Sequence, residues 1–340
     1  MKIFIAILLW TFVSCRKAPD NLSKISRDIN IHQSIIKERV WKDIELEEIS
    51  LDNQINSKLL NPTHVRENNG YLYFMDTADN LIKKFTFEGV FIDSIGNGYG
   101  RGPGEFLTFS DMSFGQNLGW VIDVNKKEIS VFDQIGNIES KFFFKPNTYR
   151  LAISEENIFL LTLGDSLLIY KYDKEGKVID SFGKIVDDQI SRAMDLAGRI
   201  VYIKKTNELL YIPHMASYLI YFDSQGNIKR TIQTLDKISF PESRAKKVES
   251  GKYRATAPKS EIEISDWSIS GDKLILKGFQ RTGENIEDRI DFFDVYSLDG
   301  MEYFYSIKVP FASHSFSVTN KNIFFIEIIK QRVRAFNYQF

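Results

Sequence analysis

The chain has 340 residues, 43% of them apolar, with 44 Lys and Arg set against 45 Asp and Glu. That is enough apolar material for a large core, while a formal charge of −1 leaves no cation excess for a nucleic-acid surface. With 27 Phe and 15 Tyr the chain carries far more buriable surface than a disordered protein, and a single cysteine excludes a disulfide framework or a Cys-rich zinc site.

Met1 and Lys2 make a short positive start, and Ile3 to Val13 is an apolar run. It is too short to cross a hydrocarbon core, which needs about twenty helical residues, and has the form of a secretory signal. Cys15 follows the small residue Ser14, which resembles a lipobox, although Phe12 stands where Leu is usual. The resemblance implies cleavage before Cys15, lipid on its thiol, and attachment to a membrane of the cell envelope without a spanning helix, on the periplasmic face or the outer-membrane surface. Residues 16–40 are polar and irregular, a tether and lead-in. Trp41 to Ile49 alternates like a strand but has no partner nearby.

From residue 71 onward one unit recurs. An aromatic residue is followed four positions later by Gly: Phe85 to Gly89, Phe132 to Gly136, Tyr172 to Gly176, Phe222 to Gly226 and Tyr296 to Gly300. Three copies have Asp second (Asp133, Asp173, Asp223), and a sixth, Phe336 to Phe340, ends the chain where Gly would stand. Each turn is flanked by short strands, such as Leu81 to Phe85 before it and Val90 to Ile92 after it. Another apolar run lies upstream, among them Tyr71 to Phe74, Trp120 to Ile122, Leu209 to Ile212 and Ile323 to Ile326. A weaker strand precedes that run, as in Asp111 to Phe114, Trp267 to Ile269 and Ser315 to Val318.

Four short strands per unit, repeated six times at about fifty residues, describe an all-β six-bladed β-propeller over residues 41–340 with four-stranded antiparallel blades. Such sheets have two apolar faces and become stable by stacking on their neighbours, which accounts for the abundance of Phe, Tyr and Ile. The last unit supplies three strands, so Trp41 to Ile49 is expected to serve as its outer strand and close the ring. Closure spares a blade face from water.

Two stretches interrupt the repeat. Lys184 to Arg199 and the longer insert 236–265 are both expected to hold short helical segments, the second after Pro241-Glu242-Ser243. The insert is basic, with Arg244, Lys246, Lys247, Lys252 and Arg254 as candidate binding-face residues for an anionic ligand or partner, since insertions in repeat proteins gather on one face. The Gly-rich segment Gly96 to Phe106 lacks both a Lys-Ser/Thr pair and a following helical pattern, so it is expected to be a structural corner and not a phosphate loop.

The same segment, with Gly102-Pro103-Gly104-Glu105-Phe106, resembles the connector of NHL-type propeller repeats, and Asp76 and Asp123 resemble the Asp that ends the second strand there. Leu163, Pro213 and Glu327 depart from that Asp in the third, fourth and sixth units. With the leader, the chain resembles the six-bladed β-propeller lipoproteins of Gram-negative bacteria, a resemblance that implies architecture more than chemistry.

Chemical candidates are few. Of His32, His64, His214 and His314, none forms an HExxH or His-x-His pair. His64 and His314 fall at the inner strands of neighbouring blades, with Asp111 and Asp266 in comparable places, so these four are candidate channel residues. Some six-bladed lyases and lactonases hold a metal there, and a Ca or Zn ion in the central channel is the corresponding cofactor expectation. The favoured function is an exported, monomeric binding or scaffolding module for a protein, carbohydrate or peptide ligand. The alternative is a metal-assisted lactonase- or lyase-like enzyme acting on a sugar or peptide in the channel.

Overall fold

The computed structural model describes residues 31–33, 38–43, 46–145, 147–187, 189–190, 193–240, 244–247, 253–256, 262–283 and 285–338, with the backbone alone for 32–33, 244–247, 253–256 and 287. Cys15, the leader, Lys252 and Phe340 lie outside these residues.

The period-two alternation and the Gly-bearing turns resolve into six sheets of four antiparallel strands; in five of them the four strands follow one another in chain order, and the sixth takes its outer strand from the N-terminal segment. The fold is a six-bladed β-propeller. The innermost strands are Pro62–Asn68, Phe109–Phe114, Thr148–Ile153, Gly198–Ile203, Ile262–Ser270 and Ser313–Val318. Six hydrophobic clusters each occupy one interface between neighbouring blades. Between the third and fourth blades, for example, Phe159, Phe182, Tyr211, Tyr218 and Phe222 interlock. Each fully buried side chain of this size contributes about 2 kcal/mol, so stability is distributed around the ring.

The recurring Gly has two causes. At Gly176 and Gly226 φ is +85° and +81°, and a Cβ would come within 2.4–2.5 Å of Phe142 and Phe182 on the preceding blade. The Asp one residue after each aromatic accepts the turn's amides: Asp173 from Glu175 and Lys177 at 3.1 and 2.8 Å, Asp223 from Gln225 and Asn227 at 2.9 Å each.

The ring closes as expected, but through only part of the expected strand: Trp41 lies on the fifth blade, and Ile44 and Glu45 fall outside the described residues. Glu47–Ile49 pairs antiparallel with Arg332–Asn337 as the outer strand of the sixth blade. The lead-in goes further than the sequence suggested. Ile31–Gln33 pairs in parallel with Ile228–Gln233 as a fifth strand on the fourth blade, and Trp41 bridges in parallel to Ser306 on the fifth. Between them Arg39 joins Asp236 (2.6 Å) to Asp294 (2.9 Å). The N-terminal segment is therefore a strap over the outer edges of three consecutive blades. A short helix, Asn53–Lys58, leads from it into the first blade, its N-cap Asp52 accepting from the Gln54 amide at 2.8 Å.

Several expectations need correction. Among the described residues of 184–199 there are turns and no helix, and Gly198 and Arg199 already belong to the fourth inner strand. The basic insert forms a hairpin, Arg244–Lys247 against Tyr253–Thr256, and no helix among its described residues, while Ile262 to Ser265 open the fifth inner strand. The side chains of Arg244, Lys246, Lys247 and Arg254 lie outside the described residues. In the third blade the place matching Asp76 is Thr162, opposite Thr148, and not Leu163. The Gly-rich connector is a corner, as expected: its backbone folds on itself through Asn97 N–H to Gly104 O (2.8 Å) and Phe106 N–H to Gly98 O (2.8 Å), and a strand follows. Asp76 and Asp123 brace the entry to their inner strands, accepting from Leu60 and Leu107 amides at 2.6 Å.

Candidate functional site

Each inner strand runs from the face carrying the insert towards the face carrying the first hairpin turns. On the first, second, third and fifth blades its register slips by one residue near the start, at Thr63, Ser110, Tyr149 and Ser265. Such bulges re-aim the next side chain. The residues after the slip are His64, Asp111, Arg150 and Asp266; Arg199 holds the matching place on the fourth blade and Ser315 lies within the slip of the sixth. Together with Arg66 they bring a charged cluster to the channel centre.

Arg66 grips Asp266 with two nitrogens (2.9 and 3.3 Å), and Asp266 also accepts from Ser315 Oγ (2.6 Å) and the Phe316 amide (3.3 Å). Asp111 accepts from the Leu151 amide (3.2 Å), and Ser315 from the Val65 amide (3.3 Å). These bonds tie the inner strand of the second blade to that of the third, the fifth to the sixth and the sixth to the first, across gaps that the sheet hydrogen bonds do not span. Arg199 crosses the channel, with Nη2 3.3 Å from His64 Nε2 and Nη1 3.7 Å from an oxygen of Asp111. Arg150 donates to the Ser110 carbonyl (2.6 Å) and the Tyr149 carbonyl (3.1 Å) and has no carboxylate partner among the described residues.

Burial raises the carboxyl of Asp266, but the charges of Arg66 and Arg199 override it and hold the group well below the usual range. Burial, reinforced by Arg150, pushes the Arg199 guanidinium down to about 10. Burial and the charge of Arg199 keep His64 neutral and push His214, whose Nδ1 donates to the Ile264 carbonyl at 2.5 Å, down to about 3.

The expected constellation is thus brought together in part. His64, Asp111 and Asp266 share the channel, whereas His314 is exposed and has Lys277, Arg289 and Asp291 of the fifth blade as its charged neighbours. Lys277 itself is fully buried, bonded to Asp291 (3.0 Å), the Ser313 carbonyl (2.7 Å) and Ser265 Oγ (3.0 Å), and burial pushes its amine down to about 8. Among the described residues no group of three or more His, Cys, Asp or Glu side chains converges as a metal would require. The donor set does not fit a Ca or Zn ion: three guanidinium groups crowd the two carboxylates, and both imidazoles lie among those charges. Sequence reasoning missed Arg66, Arg150 and Arg199. For Arg150 and Arg199 the signal is a long cation at the third or second residue of a largely apolar inner strand; Arg66, fifth in the polar strand Pro62–Asn68, carries no such signal.

The channel opens on the hairpin-turn face as a cavity of about 180 Å³ whose walls include Arg66, Asp111, Leu151 and Ile200. Through Phe114, Ile153 and Tyr202, which line both, it continues into a radial cleft of about 710 Å³ between the second and third blades. Trp120, Gln116, Asn117 and Lys174 wall the cleft, with Lys174 Nζ 4.5 Å above the Trp120 ring. This face is opposite the one carrying the basic insert.

No family model matches the chain, and no curated protein matches it. Solved structures do. A member of the DUF4221 family from Bacteroides vulgatus ATCC 8482 aligns with a TM-score of 0.61 at 14% identity, over 89% of this chain and 99% of that one. An exported protein, so described provisionally, from Bacteroides fragilis NCTC 9343 aligns at 0.57 and 11% identity, over 91% and 98%. A streptogramin B lyase aligns at 0.51 and 12% identity, over 89% and 100%. At these identities the likeness is one of fold.

Proposed function

We propose that the protein is an exported, lipid-anchored propeller that acts as a binding module at the cell envelope, taking a carbohydrate or short peptide into the cleft on its hairpin-turn face. The observation that carries this reading is the cleft of about 710 Å³, a size typical of small-ligand sites, walled by Phe114, Trp120 and Tyr202 with amides and a lysine between them. Aromatic faces beside a few hydrogen-bonding groups suit the apolar and polar sides of a sugar ring or an extended peptide. The walls sit on a stiff ring, so little freedom is lost on binding. Asp111 and Asp266 bond to the next blade's backbone, a structural use that supports recognition over chemistry. Export and anchoring rest on the leader and Cys15, and the description of the Bacteroides fragilis neighbour as exported accords with export alone.

Trp fluorescence titrated with panels of oligosaccharides and short peptides tests the cleft. A saturable change in wild type that weakens at least about tenfold in Phe114→Ala and Tyr202→Ala supports the reading. Unchanged binding in both variants, or none in wild type, removes it. Labelled palmitate incorporated by wild type and lost in Cys15→Ala tests the anchor separately.

A further inference from the structure

The channel cluster does not balance. At the channel centre Arg66, Arg150 and Arg199 bring three positive charges, Asp111 and Asp266 bring two negative ones, and His64 and His214 are neutral. Glu67 stands outside this count, exposed at the channel mouth and bonded to the Gly70 amide at 3.1 Å. Asp266 is saturated by Arg66, Ser315 and Phe316, and Asp111 reaches Arg199 only at 3.7 Å. Two buried nitrogens, Arg150 Nε and Arg199 Nη1, have no hydrogen-bond partner among the described residues. The Arg199 side chain is 8% exposed. A buried cation lacking its counter-charge destabilises a fold, so such a surplus calls for a complementary group from outside the chain.

We infer that the channel centre receives a single carboxylate, which lies between Arg150 Nε and Arg199 Nη1 while the rest of its ligand extends through the channel mouth towards the cleft. The identity of the anion follows from the count: one negative charge cancels the surplus, whereas a phosphate dianion reverses it. Guanidinium N–H groups suit the planar carboxylate. This inference rests on the cleft reading above and narrows its ligand to an acidic sugar or a peptide with a free C-terminus.

Thermal unfolding of the purified protein at constant ionic strength tests it, with sodium chloride exchanged for sodium acetate, sodium D-glucuronate or inorganic phosphate, and with glucose added as the neutral control. Acetate and glucuronate are expected to raise the wild-type Tm saturably, and phosphate and glucose to leave it where chloride does. Arg150→Gln removes the surplus cation. In chloride it is expected to melt at or above the wild-type temperature, by about 1–3 °C, and to lose the acetate response. Asp111→Asn enlarges the surplus and is expected to enlarge that response, which keeps the test decisive if Arg150→Gln fails to fold. An acetate-insensitive wild type, a phosphate response exceeding that of acetate, or Asp111→Asn responding no more than wild type overturns the carboxylate site. Phe114→Ala separates the two readings: loss of only the extra glucuronate increment supports both. Retention of that increment overturns the cleft, while cleft-dependent binding without any acetate response overturns the carboxylate site alone.

Discussion

The outer edges of the first three blades and of the next two are built differently. In the first three, the outer strands Phe91–Ile95, Ile138–Phe143 and Val178–Phe182 face water, with Asp93, Glu139, Lys141 and Asp180 breaking up their exposed apolar residues. In the fourth and fifth, Ile228–Gln233 and Tyr303–Val309 lie under the N-terminal strap, and Thr231 and Ser306 are fully buried. A bare sheet edge must discourage pairing with another chain, and charges do that. A covered edge is relieved of that duty and can carry apolar or small residues. The contrast teaches that the strap is a designed part of the ring and not merely a lead-in.

The largest effect should come from removing the strap. Deleting residues 31–49 is expected to lower Tm by about 10 °C and to promote association through the uncovered edges, read by calorimetry and size-exclusion chromatography. An unchanged Tm would break the comparison outright. Next comes Arg39→Ala, which leaves Asp294 buried without its guanidinium and should cost about 3 kcal/mol by denaturant titration at neutral pH. Burial already raises the carboxyl of Asp294 despite Arg39 and Ser306. Losing Arg39 raises it further, so the folded variant binds this proton more tightly than the unfolded chain does. The deficit should therefore be full at neutral pH and shrink as pH falls through the carboxylate range, where protonation removes the stranded charge. A deficit independent of pH would mean that Arg39 acts by packing on Phe292, 4.2 Å below it, and not by charge.

A matched pair sharpens the contrast. Thr231 and Ser181 occupy equivalent places on the fourth and third outer strands, opposite Ile220 and Tyr170. Thr231→Asp should destabilise by about 2 kcal/mol, because the charge is sealed under the strap. Ser181→Asp, at an uncovered edge, should stay within about 0.5 kcal/mol. Equal effects on urea midpoints would mean that the strap does not exclude water from the edge.

Much of this architecture was legible in the sequence because its signals are local. The aromatic-to-Gly spacing marks the last turn of five blades, and the alternation from Trp41 to Ile49 is visible enough to assign its end, Glu47–Ile49, to the sixth, although Trp41 itself bridges to the fifth. The strap over the fourth and fifth blades was not, since Ile31–Gln33 is three residues long and parallel pairing leaves no turn signal. The insert misled for a related reason: Pro241-Glu242-Ser243 reads as a helix start, while Arg244–Lys247 finds a strand partner only at Tyr253–Thr256. Asp111 and Asp266 could be placed in the channel by repeat position. Arg150 and Arg199 could not, because a lone Arg in a strand ordinarily faces solvent, and only the ring geometry turns these two inward.

The direction of the strap has a mechanical consequence. Over Ile31–Gln33 the chain advances alongside its parallel neighbour, from the cleft face towards the insert face. If Cys15 carries lipid, the intervening residues reach at most about 55 Å, and the bilayer holds the ring by the rim of the fourth blade. Tension along that leash loads the strand lengthwise, so its hydrogen bonds resist in shear together instead of unzipping singly. Ile31 enters its strand on the face where the cleft opens, so that load and ligand would meet the ring from the same side.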